Sequence, residues 1–264
     1  MNEDRTLADV LPRRNAGFKV LGVRVHAVQI PDVVEQMTDW IAERGRCHFI
    51  AVTGMHGVTE AQREPDFKKI LNEADLVVPD GMPLVWLGQR QGHSLQRRVY
   101  GPELMQTFCR ATGSQCRHFL YGGAPGVPEL LSATLQEQFG INVVGTYSPP
   151  FRTLTPKEDE EIVDRIHAAN PDIVWVGLST PKQERWMYEH RSKLRVPVLV
   201  GVGAAFDLNS GRVKQAPPWM REHGLEWAFR LVQEPRRLWR RYLLNGSGFV
   251  WQVALELLSL RRFE

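Results

Sequence analysis

Cysteine is scarce in this chain: Cys47, Cys109 and Cys116 are the only three in 264 residues. An odd number without metal-ligand spacing excludes a disulfide framework and a cysteine-based metal knot. Cys109 and Cys116 fall in or beside apolar periodic segments and read as buried thiols. An Asp-x-Asp triplet, an H-E-x-x-H pair and any cluster of histidines are also missing. These are the usual holders of a divalent ion, so no resident metal or cofactor is expected. No run reaches the ~18 consecutive apolar residues of a spanning helix. The most apolar late stretch, Phe249–Leu260, is interrupted by Gln252 and Glu256. The opening MNEDRTLADVLPRRN is polar and lacks the apolar core of a signal peptide, which leads to the expectation of a cytoplasmic protein. A net charge of +3 is too small to point to nucleic acid.

What is present is an alternation. A hydrophobic content of 43% with 24% charged residues allows one sizeable core. Short apolar or β-branched runs predict strands at Lys19–Val28, Cys47–Thr53, Leu76–Pro79, His118–Tyr121, Asn142–Thr146, Ile173–Gly177 and Val196–Gly203. Amphipathic stretches between them predict helices near Pro31–Arg44, His56–Arg63, Pro65–Glu73, Met82–Gln91, Pro102–Thr112, Val127–Phe139, Pro156–Ala169 and Pro181–Arg191. Thr155-Pro156 and Thr180-Pro181 each read as a cap followed by proline at the first helical position. The expected fold is α/β: a Rossmann-like, mostly parallel sheet with helices on both faces. From Pro217 onward the pattern is helical. The expected organisation is a loose arm over 1–17, an α/β core over 18–212 and a helical appendage over 213–264.

The appendage carries an unusual composition. LEWAFRLVQEPRRLWRRYLL (225–244) interleaves Arg230, Arg236, Arg237, Arg240 and Arg241 with Trp227, Phe229, Trp239 and Tyr242. Guanidinium groups suit phosphate and aromatics suit an interface, so the stretch fits an anionic, half-apolar surface or an anionic ligand.

Open sheets of this kind bind ligands where strands end and loops lead into helices. Gly122-Gly123-x-x-Gly126 follows a strand and opens a helix; it reads as a diphosphate cradle or as a tight turn. It is not the G-x-G-x-x-G fingerprint, which disfavours a nicotinamide-dependent oxidoreductase. Asp80, after Leu76-Val77-Val78-Pro79, reads as a partly buried general base or as the N-cap of the next helix. Arg97-Arg98 reads as a phosphate clamp or a solvated pair. Lys182 and Gln183 bring polar donors to a helix start, or form an exposed first turn. His56 reads as a base or a packing residue, and Asp207 as a hydrogen-bond acceptor or the start of a turn.

Taken in order, DLVVPDGMPLVW (75–86), RRVYGPELM (97–105), HFLYGGAPGV (118–127), VGTYSPPF (144–151), VGLSTPKQERWM (176–187), GVGAAFD (201–207) and GLEWAFRLVQEPRRLWRRYL (224–243) closely resemble the WecG/TagA/CpsF family of bacterial glycosyltransferases. The resemblance runs from about Leu21 to Leu244. It implies an inverting, metal-independent transfer of a hexose-type sugar from UDP to a polyprenyl-diphosphate-linked saccharide, in the building of exopolysaccharide, surface antigen or teichoic acid. It implies Asp80 as base, Thr53, Arg98 and Gln183 as pocket residues, Asp207 as the uracil contact and Phe151 as the base-stacking aromatic. Gly122, Gly123, Gly177 and Lys182 fall on the donor side. Arg230, Arg237 and Arg240 would reach over the leaving diphosphate. The appendage would meet the inner face of the cell membrane, with homo-oligomers as a further expectation. In one respect the chain departs from the family: many members carry Asn two residues after the pocket threonine, where this chain has Met55 followed by His56. His56 is the candidate replacement donor, and the transferred sugar need not be N-acetylmannosamine. The competing reading is a non-catalytic, nucleotide-binding adaptor on the membrane surface; it accounts for the tail but not for the polar residues at the strand ends.

Overall fold

The computed structural model describes residues 16–239, 242–243 and 245–263, without the side chains of Glu222 and Arg237. Residues 1–15 of the expected N-terminal arm lie outside the described residues.

Six strands form one parallel sheet: β3 (His48–Thr53), β4 (Leu76–Pro79), β5 (Arg117–Gly122), β6 (Asn142–Tyr147), β7 (Ile173–Gly177) and β8 (Val198–Gly201). Their spatial order is β4-β3-β8-β7-β5-β6. The central strands are apolar without alternation because both faces are covered. Ile50, Val52, Val198, Val200 and Trp175 pack on one side against α1 (Ile30–Glu43), α5 (Gly101–Thr112), α6 (Val127–Phe139) and α9 (Ala205–Asn209). Phe49, Phe119, Val174 and Leu199 pack on the other against α7 (Pro156–Ala169) and α8 (Lys182–His190). Ala51 and Val77 on that side meet α2 (Met55–Arg63) and α3 (Pro65–Asn72). Each fully buried Phe, Leu or Val contributes roughly 1.5–3 kcal/mol. The three cysteines are free and buried, and burial pushes each thiol up to about 12, so none is reactive near neutrality.

Two local readings need correction. The stretch expected as one strand, Lys19–Val28, is an antiparallel hairpin of β1 (Gly17–Val20) and β2 (Val23–His26). Its turn holds Leu21 at φ 51° and Gly22 at φ 77°, the left-handed pair a two-residue hairpin needs; leucine in that role gives no sequence signal. Thr180 is not a cap: α8 begins at Lys182 after a cis Thr180-Pro181 bond, and Thr180 Oγ1 donates instead to Glu184 Oε1 at 2.8 Å. Thr155 does cap, in a reciprocal box with Glu158. Past α9, the described residues include α10 (Pro218–Glu222), α11 (Glu226–Gln233), α12 (Pro235–Trp239) and α13 (Asn245–Leu257). Pro235 separates α11 from α12. The last of these, α13, begins before Phe249 and packs on α2.

Two buried histidines give the core an acid-sensitive element. His26 Nδ1 accepts from the Val77 amide at 3.0 Å, and His118 Nδ1 accepts from Trp175 Nε1 at 3.1 Å. An imidazolium has no acceptor nitrogen. Burial pushes both groups from 6.5 down to about 4. Folded, they stay neutral where the unfolded chain takes up protons. The stability they contribute is therefore present above pH 6.5 and lost as pH falls from there through 4. Melting temperature is expected to fall across that window, and His118→Gln, which keeps an acceptor for Trp175, to show a shallower fall.

Candidate active site

The parallel register aligns the carboxyl ends of the strands on one rim, with Thr53 beside Pro79, Ala51 and Val176 beside Gly201, and Gly122 beside Gly177. The chain leaving β3 enters α2 on one face, and the chain leaving β8 enters α9 on the other. A crevice opens where neighbouring connections diverge, so the β3/β8 boundary is the geometric place for a ligand.

Asp80 follows β4 directly, and its amide donates to Thr53 O at 2.9 Å, which ties the ends of β3 and β4 together. Of its two readings, the helix cap is excluded. Helix α4 (Met82–Arg90) is capped by Gly81, at φ 142°, with no side-chain cap bond. The Asp80 carboxylate is instead 3.8 Å from Arg98 Nη1. Arg98 reaches it because the Val99 amide donates to Pro79 O at 2.8 Å, pinning the 97–100 segment against the end of β4.

Arg98 is held on three sides. Its guanidinium lies 4.1 Å over the Tyr100 ring and pairs with Glu226 of α11 as well as with Asp80. The Tyr100 hydroxyl donates to Glu226 Oε1 at 2.9 Å. Burial alone would lower the Arg98 pKa, but Asp80 and then Glu226 outweigh it and hold it above the ordinary value. Burial, with the Glu226 charge, pushes the Tyr100 hydroxyl up, so it remains a donor. Glu226 escaped the sequence reading. It stands in an arginine-rich run, where an acid reads as counter-charge; its long-range partners 126 and 128 residues away leave no local signal.

Two rim residues present unsatisfied atoms. Thr53 Oγ1 and Gln183 Oε1 are buried and have no hydrogen-bond partner among the described residues. Such orphans are rare in native interiors, and at a strand-end rim they are open to a water or a ligand. The Gln183 amide is oriented by its neighbour: Nε2 donates to Glu184 Oε1 at 3.0 Å, leaving Oε1 on the side of Gly203. Lys182 is exposed at the first residue of α8, and His56, in the first turn of α2, lies 3.5 Å from Asn245 Nδ2 and 3.8 Å from Glu60. The structure thus groups Thr53, Asp80 and Arg98 closely, while His56 faces the start of α13.

At the β5 and β7 ends the glycines are required by close approach. Gly122 has φ 128°, and a Cβ there would stand 2.6 Å from the Gly177 carbonyl; a Cβ on Gly177 would meet the Phe206 ring at 2.6 Å. Gly122→Ala is expected to cost at least about 2 kcal/mol from strain and overlap together, read as a shifted urea midpoint. The Gly123 carbonyl accepts from Ser148 Oγ at 2.7 Å, which moors the loop bearing Phe151 beside this turn. Phe151 itself is 85% exposed. Asp207, in α9, has its carboxylate 3.7 Å from Arg212.

The C-terminal helices border the same rim. Gly224 lies against Met82 and Gly246 against Met55, while Arg63 donates to Asn245 Oδ1 at 2.9 Å. Arg230 sits on α11 with its Nε buried and without a hydrogen-bond partner among the described residues. Arg237 is on α12 but its side chain, like all of Arg240, lies outside the described residues. Trp219, Trp227, Trp239, Val250, Trp251, Leu258 and Leu260 are exposed on this segment. Among the described residues, no helix is long and apolar enough to cross a membrane, and no three His, Cys, Asp or Glu side chains converge as a metal site.

Comparison with known proteins adds to this geometry. The profile described as "Glycosyl transferase WecG/TagA/CpsF family" matches residues 18–263. An N-acetylglucosaminyldiphosphoundecaprenol N-acetyl-beta-D-mannosaminyltransferase of Bacillus spizizenii (strain ATCC 23059 / NRRL B-14472 / W23) is 32% identical over 217 residues, 81% of this chain and 82% of the relative. A protein of the same name from Bacillus subtilis (strain 168) is 32% identical over 187 residues, 69% of this chain and 70% of the relative.

Proposed function

The chain belongs to the WecG/TagA/CpsF glycosyltransferase family, and on that footing we propose that it moves a hexose-type sugar from a UDP donor to a polyprenyl-diphosphate-linked saccharide. Both relatives are named for adding N-acetyl-β-D-mannosamine to an N-acetylglucosaminyl lipid diphosphate, and an acceptor of that class is the reading adopted for this chain. The product would enter a surface polysaccharide. The observation that carries the proposal is Asp80. It is a strand-end carboxylate that caps nothing, is braced by a buried arginine and shares the rim with the orphaned oxygens of Thr53 and Gln183.

The step is a single in-line displacement. The acceptor hydroxyl gives its proton to Asp80, its oxygen bonds to the anomeric carbon, and the bond from that carbon to the β-phosphate oxygen breaks as UDP departs. Gly122, Gly123 and Gly177 let the backbone approach the donor diphosphate, with Phe151 on the uracil, Asp207 beside it and Lys182 at the crevice edge. Arg230, Arg237 and Arg240 meet the charge on the departing UDP. His56 stands in for the asparagine of other members, so it bears on the choice of sugar. Residues 213–264 act as the appendage that brings this machinery to the membrane surface, through exposed tryptophans and Arg236.

Product stereochemistry tests the step. With a panel of UDP-α-hexoses and a short-chain polyprenyl-diphosphate N-acetylglucosamine, one donor is expected to give a β-linked product by the proton coupling at C1. An α-linked product would overturn the single displacement.

A further inference from the structure

Next to the carboxyl end of β4 lies a cavity of about 470 Å³, within the roughly 300–1,000 Å³ of small-molecule sites. Its walls are Met82 of α4, Arg97, Arg98 and Glu103 from the core, and Pro218 and Arg221 of α10. Three guanidiniums face one carboxylate. Arg97 is 3.6 Å from Glu103 Oε1, in a partly solvated pair worth little. Arg221 presents a buried Nε with no hydrogen-bond partner among the described residues. Planar, bidentate donors of this kind suit phosphate oxygens. Neither Arg97 nor Arg221 is used by the transfer step described above.

The sheet order gives the cavity a role. The donor-side glycines end β5 and β7, on the other side of β3 and β8 from Asp80 at the end of the edge strand β4, and Arg98 is both the partner of Asp80 and a wall of the cavity. A base in a displacement stands between donor and acceptor. We propose that this cavity holds the diphosphate of the acceptor, gripped by Arg97 and Arg221, with the first sugar directed toward Asp80. The assignment rests on the transferase reading. It also gives α10 a purpose, because part of the C-terminal helical segment then completes the acceptor site. Acceptor binding and docking of that segment are thereby coupled.

The test separates this site from the reaction. Farnesyl diphosphate is titrated by calorimetry into UDP-saturated protein, and KM is measured for farnesyl-diphosphate-linked N-acetylglucosamine and for the UDP-sugar. Arg97→Ala and Arg221→Ala are each expected to weaken farnesyl diphosphate and raise the acceptor KM by about tenfold, with the UDP-sugar KM held within about twofold. Arg221→Lys keeps charge without the fork and is expected to fall between; it also serves if the alanine variant does not fold. Farnesyl diphosphate binding that is sensitive to both arginines supports the site even where no UDP-sugar is turned over, in which case only the transferase reading falls. Affinity unchanged in both variants, or displacement by UDP, overturns the site and leaves that reading intact. Inorganic pyrophosphate binding as tightly as farnesyl diphosphate would assign the cavity to a free diphosphate and overturn the acceptor assignment.

Discussion

Asp80→Asn is expected to lower kcat by about 10²–10⁴-fold, the share of a positioned general base, while UDP affinity and melting temperature stay close to wild type. The substitution is nearly isosteric and removes only the basic oxygen. Asp80 supports no helix end, since α4 is capped by Gly81. Its backbone hydrogen bond to Thr53, at 2.9 Å, survives the change. Its contact with Arg98 is the longer of that arginine's two ion pairs, so Glu226 still holds the guanidinium in place. Turnover and UDP calorimetry on the same preparation check the prediction. Retained kcat would remove Asp80 from the chemistry. A protein that adsorbs to anionic vesicles equally well with either residue, and turns over no sugar with Asp80 intact, would be the adaptor instead.

The second large effect is on stability. Glu226→Ala is expected to cost about 3–5 kcal/mol, the penalty of removing one partner from a buried ion pair. The Arg98 side chain is 15% exposed and Glu226 8%, so little solvent replaces the lost carboxylate. The Tyr100 hydroxyl loses its acceptor in the same change. Because Glu226 is on α11 and both partners are on the core, the loss falls on one of the contacts that fasten the C-terminal helices to the rim. Limited proteolysis should therefore cut around α10 and α11 sooner, and the melting temperature should fall. Glu226→Gln keeps an acceptor for Arg98 or Tyr100 and is expected to lose about half as much. An unchanged melting temperature in Glu226→Ala would mean the pair is incidental.

The sheet was legible because most of its strands, β6 apart, are buried on both faces. Leu76–Pro79 and Ile173–Gly177 match residue for residue, and β3 and β8 differ from expectation only at their ends. What stayed hidden depended on partners distant in sequence or on special backbone. Leucine at φ 51° turns one expected strand into a hairpin, and Thr180 spends its hydroxyl on Glu184 rather than on a helix start. Asp80, Thr53 and Gln183 stood out as polar residues near strand ends and Arg98 as one of an arginine pair before a helix, with their roles implied by the family resemblance, but their surroundings were not legible. That Arg98 is sandwiched between two carboxylates follows only from bringing residue 226 onto residue 98. Similarly, Arg97 and Arg221 share a cavity although they lie 124 positions apart in the chain, and neither flanking sequence signals the other.

The measurement closest to the chemistry is UDP release by the wild-type protein in EDTA, with and without a polyprenyl-diphosphate saccharide. Release is expected to depend on the acceptor and to be supported by one UDP-hexose above the rest, with arginines and helix amides carrying the leaving-group charge. Release that is abolished by EDTA, or that proceeds at the same rate without acceptor, would contradict a metal-independent transfer to a lipid-linked saccharide.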